Sequence, residues 1–102
     1  MAVGMLLAGE AVTKDTYVQV TESMFGNYPM REDQAAEGLL LHTAGQSPDG
    51  WYVYDVWESP EHFQRFVEST LGPALEALGA DGGPRPEPQF FPIETLVKGP
   101  AL

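Results

Sequence analysis

The chain has 102 residues, so we expect one domain over residues 1–102, with a single modest core and no deep pocket besides. Its net charge is −10, and it has only five Lys and Arg residues. Binding to nucleic acid or to an anionic membrane needs clustered cations, so this composition argues against both. The absence of cysteine excludes disulfides, thiolate nucleophiles and Cys-ligated metals, and it fits a reducing cytoplasm, where we expect the protein.

The first elements are a strand and a helix. Residues 2–9 form an apolar run with little alternation, which predicts a strand covered on both faces, most simply a central one. The run has no basic segment before it and is shorter than the roughly 20 residues of a membrane span, so we interpret it as neither a signal nor an anchor. A helix is predicted from an N-cap at Thr13 to about Gly26. One face of this helix carries Tyr17, Val20, Thr21 and Met24.

A hairpin and a second helix follow a loop at residues 27–37. Residues 39–44 and 51–57 have strand composition, and the GQSPDG sequence between them favours a turn, which predicts an antiparallel hairpin. Ser59 is the expected N-cap of the second helix, with Pro60 in its first position. The Gly72-Pro73 pair is expected to interrupt this helix, and Gly79 is expected to end the short helical piece after it.

The last strand completes the fold prediction. Residues 89–97 have strand composition, but Pro92 cannot donate to a ladder, so this strand must lie at an edge or carry a bulge. The order β-α-β-β-α-β predicts a ferredoxin-like α+β fold, in which an antiparallel four-stranded sheet has both helices on one face. The other face would be bare, and a bare face with Leu40 and Trp57 predicts a homodimer that closes face to face.

The hairpin register decides which side chains share a face. Pairing Gln46 with Trp51 places His42 opposite Asp55 and Leu40 opposite Trp57. We then expect one set of side chains on the bare face and the other against the helices, while a slip by one residue would place His42 beside Tyr54 instead. The bare-face set is His42, Val53, Asp55 and Trp57, and the helix-facing set is Leu39, Leu41, Tyr54 and Val56.

A carboxylate beside an imidazole suggests acid–base chemistry. Asp55 would fix the tautomer of His42 and raise its basicity, so that His42 could take a proton from a phenol or an acidic C–H group. The expected substrate-binding residues are Trp51, Trp57, Leu40 and Val53. The alternative is that His42 and Asp55 only satisfy each other in a dimer interface. No motif supports a metal site or a nucleotide, flavin or metal cofactor, so we expect none.

Residues 51–66, WYVYDVWESPEHFQRF, resemble the strand-then-helix signature of the antibiotic biosynthesis monooxygenase-like proteins in the dimeric α+β barrel superfamily. The resemblance implies a homodimer and an activity such as cofactor-free oxygenation of aromatic polyketides. Haem-degrading relatives carry an asparagine in the first strand and a tryptophan and a histidine on the second helix. Here the first strand has no asparagine, and Phe66 and Glu76 lie near the positions of the tryptophan and the histidine. All three positions differ, so we do not expect haem degradation.

The sequence therefore predicts a cofactor-independent monooxygenase-like enzyme that abstracts a proton from a small aromatic or polyketide-type molecule. Two alternatives remain open at this point. One is a polyketide cyclase or isomerase of the same fold, and the other is a non-catalytic dimeric protein that binds a small apolar molecule. A cavity without a titratable group facing it would favour the binding protein.

Overall fold

A computed structural model describes residues 1–9, 12–79 and 87–102. Its elements follow the predicted β-α-β-β-α-β order, and the fold is ferredoxin-like α+β. The strands are β1 (Val3–Gly9), β2 (Leu39–Ser47), β3 (Gly50–Trp57) and β4 (Gln89–Pro92). The helices are α1 (Lys14–Phe25), α2 (Pro60–Phe66) and α3 (Gly72–Ala77), with a 3-10 turn at Glu32–Gln34 and a π-helical turn at Val67–Leu71.

The four strands form one antiparallel sheet in the order β2-β3-β1-β4. The prediction that the first strand is central is confirmed, because β1 pairs with β3 on one side and with β4 on the other. Pro92 lies in the edge strand β4, as predicted from its missing N–H. This strand ends at Pro92 and does not extend to residue 97.

The predicted helix caps are confirmed. The Thr13 side chain accepts a hydrogen bond from the Thr16 N–H, and the Ser59 side chain accepts one from the His62 N–H. Gly26 and Gly79 end their helices with φ values of 79° and 70°, which a side chain would disfavour. None of the helices in the described ranges is long and apolar enough to cross a membrane.

Gly72 and Pro73 do not interrupt the second helix, contrary to prediction. The chain passes from α2 to α3 through the π-helical turn, in which the Gly72 N–H donates to the Val67 carbonyl. A wider turn accommodates Pro73, which has no N–H to donate and whose ring would crowd the preceding turn of an α-helix. A Cβ atom on residue 72 would lie 2.8 Å from the Val67 carbonyl oxygen, so the turn requires glycine there.

The predicted assignment of the two sheet faces is wrong for every residue named except Leu39, which lies against the helices as predicted. Trp57 is almost fully buried and packs against Phe63 and Phe66 of α2, with ring centroids 5.6 Å apart in both pairs. The helices therefore cover the face with His42, Val53, Asp55 and Trp57. Burying both tryptophans under the helices removes more apolar surface from water than burying the tyrosines and Val56 would. Asp55 is buried as well, because strand alternation places it on the same face as the tryptophans.

A bulge changes the predicted pairing at the start of β2. Leu39 pairs with Trp57 and Leu41 pairs with Val56, so Leu40 is the extra residue and does not lie opposite Trp57. Leu40 is 45% exposed. Beyond the bulge the predicted register is confirmed, with Gln46 opposite Trp51 and His42 opposite Asp55.

We call the sheet face without helices the open face. Tyr54 lies over Gly4 and Tyr52 over Gly45, where a Cβ atom would meet each ring at 3.2 Å or less. None of the strand residues that alternation places on this face is charged. They are Gly4, Leu6, Ala8, Leu41, Thr43, Gly45, Ser47, Gly50, Tyr52, Tyr54, Val56, Gln89 and Phe91.

Candidate active site

A chain of hydrogen bonds runs from the sheet to α1. His42 Nδ1 lies 2.7 Å from Asp55 Oδ1, and His42 Nε2 lies 2.6 Å from the Tyr17 hydroxyl oxygen. The Trp57 indole N–H donates to the second oxygen of Asp55 at 3.2 Å. Each oxygen of the Asp55 carboxylate therefore has one partner, and β2, β3 and α1 are joined by a single network.

The protonation states of this network follow from its geometry and burial. Burial raises the pKa of the Tyr17 phenol above its ordinary value, the charges of Tyr28 and Asp55 raise it further, and the Thr21 hydroxyl opposes these effects in part. The Tyr17 phenol therefore keeps its proton. Because a carboxylate can only accept a hydrogen bond, the ring proton of a neutral His42 lies on Nδ1 and is donated to Asp55, and Nε2 then accepts a hydrogen bond from the Tyr17 hydroxyl.

The hydrogen-bond chain faces a cavity of about 560 Å³ between the sheet and the helices. Small-molecule sites commonly have volumes of about 300–1,000 Å³, so this space can hold a ligand. The expectation of a core without a deep pocket was therefore wrong. Tyr17, His42 and Asp55 are titratable groups of its wall. Much of the remaining wall is apolar and includes Met5, Met24, Met30, Leu39, Phe63 and Phe66.

The structure brings together four of the six site residues expected from the sequence. His42, Asp55, Val53 and Trp57 line the cavity. The other two do not belong to its wall. Trp51 packs against the Tyr17 ring, with 5.6 Å between ring centroids. Its indole N–H has no hydrogen-bond partner among the described residues. Leu40 is displaced by the bulge in β2.

Tyr17 is the main residue of the site that the sequence analysis missed. It was assigned to the inward face of the first helix with Val20, Thr21 and Met24, and all four side chains line the cavity. Their spacing on one helical face was the available signal, but it indicates an inward direction and not an unfilled space. In the described ranges, no group of three or more His, Asp or Glu residues is placed to hold a metal ion.

No family model matches the chain, and no curated protein is significantly similar to it. Solved structures do match. A candidate antibiotic biosynthesis monooxygenase from Chloroflexus aurantiacus J-10-fl matches with a TM-score of 0.56 and 15% identity, over 97% of this chain and 100% of that chain. One from Deinococcus radiodurans matches with a TM-score of 0.56 and 11% identity, over 95% and 94%. SnoaB, a cofactor-independent oxygenase from Streptomyces nogalater, has a TM-score of 0.48 and 16% identity, over 96% and 95%.

The chain has the fold of the antibiotic biosynthesis monooxygenase-like structures. The resemblance inferred from residues 51–66 is confirmed at the level of fold, since the first two matches extend over almost the whole chain. Within this fold, residues 51–66 supply all of β3 except Gly50 and the whole of α2, and they place Asp55 and Trp57 in the wall of the cavity.

The raised pKa of Tyr17 predicts a specific pH dependence of stability. Below about pH 10 both the folded and the unfolded chain keep this phenol protonated. In that range Tyr17 therefore does not make the free energy of unfolding depend on pH. Above about pH 10 the unfolded chain releases the proton while the folded chain retains it, and the free energy of unfolding therefore falls as the pH rises. Urea unfolding across this range should show a steeper fall for the wild type than for Tyr17→Phe.

The wild-type protein and Tyr17→Phe also provide a control at lower pH. Between about pH 7 and 9 the difference between their unfolding free energies should be constant, because Tyr17 is protonated in both states. Parallel curves above about pH 10 would show that the folded structure does not favour the protonated phenol.

Proposed function

We propose that this protein is a cofactor-independent monooxygenase-like enzyme that abstracts a proton from a small aromatic or polyketide-type molecule held between the sheet and the helices. The observation that carries the proposal is the pairing of a buried carboxylate with an imidazole in the wall of an apolar cavity. Asp55 is 5% exposed, and its Oδ1 lies 2.7 Å from His42 Nδ1, so it orients the ring and leaves Nε2 as the nitrogen that can accept a proton. His42 is thus suited to accept a proton.

The cavity suits a flat, largely apolar substrate. The Phe63 and Phe66 rings and the Met24 and Met30 side chains in the wall offer aromatic and polarisable contacts. Removing a proton from an electron-rich phenol or its keto tautomer gives an anion that can itself reduce O₂. For a ring methylene the sum is R₂CH₂ + O₂ → R₂C=O + H₂O, and the substrate supplies all the electrons.

Two observations favour an oxygenase over a binding protein. Tyr17, His42 and Asp55 line the cavity, whereas a binding protein needs no titratable group there. Two solved structures with this fold are named as candidate monooxygenases. A cyclase or isomerase would begin with the same proton abstraction but would consume no O₂, so oxygen uptake separates these two reactions.

Anthrone is a suitable probe, because it is a flat tricyclic ketone with an acidic methylene that reacts with O₂ to give anthraquinone and water. The wild-type protein should accelerate exchange of its methylene protons in deuterated water under nitrogen, followed by NMR, and oxygen uptake in air. His42→Gln and Asp55→Asn should lower the exchange rate by about 10²-fold or more, the usual contribution of a positioned general base.

Tyr54→Phe is the matched control, since it removes a hydroxyl on the open face and should leave the rate unchanged. Thermal unfolding of each variant separates chemistry from folding, because Asp55→Asn should reduce the rate much more than the stability. Equal losses in both would contradict a catalytic role. Exchange without oxygen uptake would identify an isomerase or cyclase, and binding without exchange would identify a binding protein.

We also propose that the protein forms a homodimer through the open face. This face is apolar and aromatic, and its strand positions carry no charge although 20% of the chain's residues are charged. An uncharged face fits the same face of a second copy better than it fits a charged partner. In this arrangement each cavity lies under its own helices, away from the interface. We place this dimer in the cytoplasm, without nucleic acid or membrane partners.

Sedimentation velocity over a range of concentrations tests the dimer. Phe91→Glu puts a charge on the open face, where Phe91 is 45% exposed, and should weaken dimerisation by at least tenfold in Kd, about 1.4 kcal/mol. Leu78→Glu introduces the same change at a residue of similar exposure after α3 and should leave the dimer intact. A wild-type protein that sediments as a monomer would contradict the proposal.

A further inference from the structure

We infer that the Tyr17 phenol carries the proton between the substrate and His42, so that His42 Nε2 does not take the proton from the substrate directly. The inference rests on the proposed function, which needs a proton acceptor in the cavity but does not specify how the proton reaches it. Tyr17 would then accept the proton of the substrate, and His42, held by Asp55, would accept the proton that Tyr17 releases.

Both nitrogens of His42 are already engaged. Nδ1 is 2.7 Å from Asp55 and Nε2 is 2.6 Å from the Tyr17 hydroxyl. A substrate could reach Nε2 only by displacing the Tyr17 hydroxyl, which would break a short hydrogen bond and leave the phenol to find another partner in an apolar wall. The hydroxyl of Tyr17 therefore occupies the position from which a substrate would donate a proton to His42 Nε2.

Tyr17 is held in this position by its neighbours. Its ring packs against Trp51 at 5.6 Å and edge-on against Tyr28 at 5.9 Å with an interplanar angle of 86°. These contacts leave little freedom for the ring to swing away from His42. The phenol oxygen donates one hydrogen bond to Nε2, and its lone pairs can accept another from a substrate in the cavity.

The proton transfer balances without a cofactor. The substrate X–H bond breaks as the proton joins the Tyr17 oxygen, and the Tyr17 O–H bond breaks as its own proton joins His42 Nε2. The electron pair stays on the substrate as an anion, and His42 becomes an imidazolium ion beside the Asp55 carboxylate. Tyr17 ends the step as a neutral phenol that can donate a hydrogen bond to the new anion.

The test is Tyr17→Phe in the anthrone exchange assay, with KM and kcat measured separately. The relay predicts that kcat for exchange falls by about 10²-fold or more, while KM changes by no more than about twofold, because phenylalanine keeps the ring that lines the cavity. Tyr54→Phe should leave both unchanged. Binding of anthraquinone, which has no exchangeable methylene, and thermal unfolding check that Tyr17→Phe keeps its fold and its cavity.

The outcomes separate this inference from the proposed function. If Asp55→Asn loses exchange while Tyr17→Phe keeps or increases it, His42 takes the proton directly and the relay is overturned. A rise in KM with kcat unchanged would give Tyr17 only a packing role and would also overturn the relay. If the wild-type protein catalyses no exchange, the proposed function fails and the relay fails with it.

Discussion

The burial of the Asp55 carboxylate constrains the rest of the site. A buried charge is costly unless each of its oxygens is hydrogen bonded, and here one oxygen accepts from His42 and the other from Trp57. The position of the His42 ring is thereby fixed, and through its other nitrogen the position of Tyr17 on α1 is fixed as well. A strand residue that could have faced water therefore organises three elements around one cavity.

The two faces of the sheet serve different purposes. The helix-covered face combines Trp51, Trp57 and Val53 with the polar pair and leaves the cavity between sheet and helices. The open face has tyrosines lying over glycines and no charged strand residue. Both faces are apolar enough to be buried, which is why alternation alone did not show which one the helices cover. The size of the tryptophan side chains decides it.

Local signals in the sequence were sufficient for the order of the elements and for many of their limits, but not for the end of β4 or the passage from α2 to α3. Caps at Thr13 and Ser59, the left-handed glycines Gly26 and Gly79, and the edge position of Pro92 each depend on the chemistry of one or two residues. The pairing of His42 with Asp55 followed from the SPDG turn, because turn length fixes the register of a hairpin. These features need no knowledge of distant contacts.

What the sequence could not provide depends on contacts between elements. The bulge at Leu40 moves one residue out of the register, and no pattern in the LLLH run indicates which leucine it is. Tyr17 joins the site only because α1 crosses the sheet at His42. The cavity exists because the inward side chains of the helices and strands do not fill the space between them, which is a property of their summed volumes and not of any motif.

The proposed mechanism depends on one hydrogen-bond chain through Tyr17, His42 and Asp55, in which the proton of neutral His42 lies on Nδ1. This chain can be tested by nitrogen-15 NMR of the ligand-free protein at a pH at which the imidazole is neutral. We expect a protonated Nδ1 and an unprotonated Nε2 for His42, in a single tautomer. A proton on Nε2, or an average of the two tautomers, would contradict it, because Nε2 could then not accept a hydrogen bond from Tyr17.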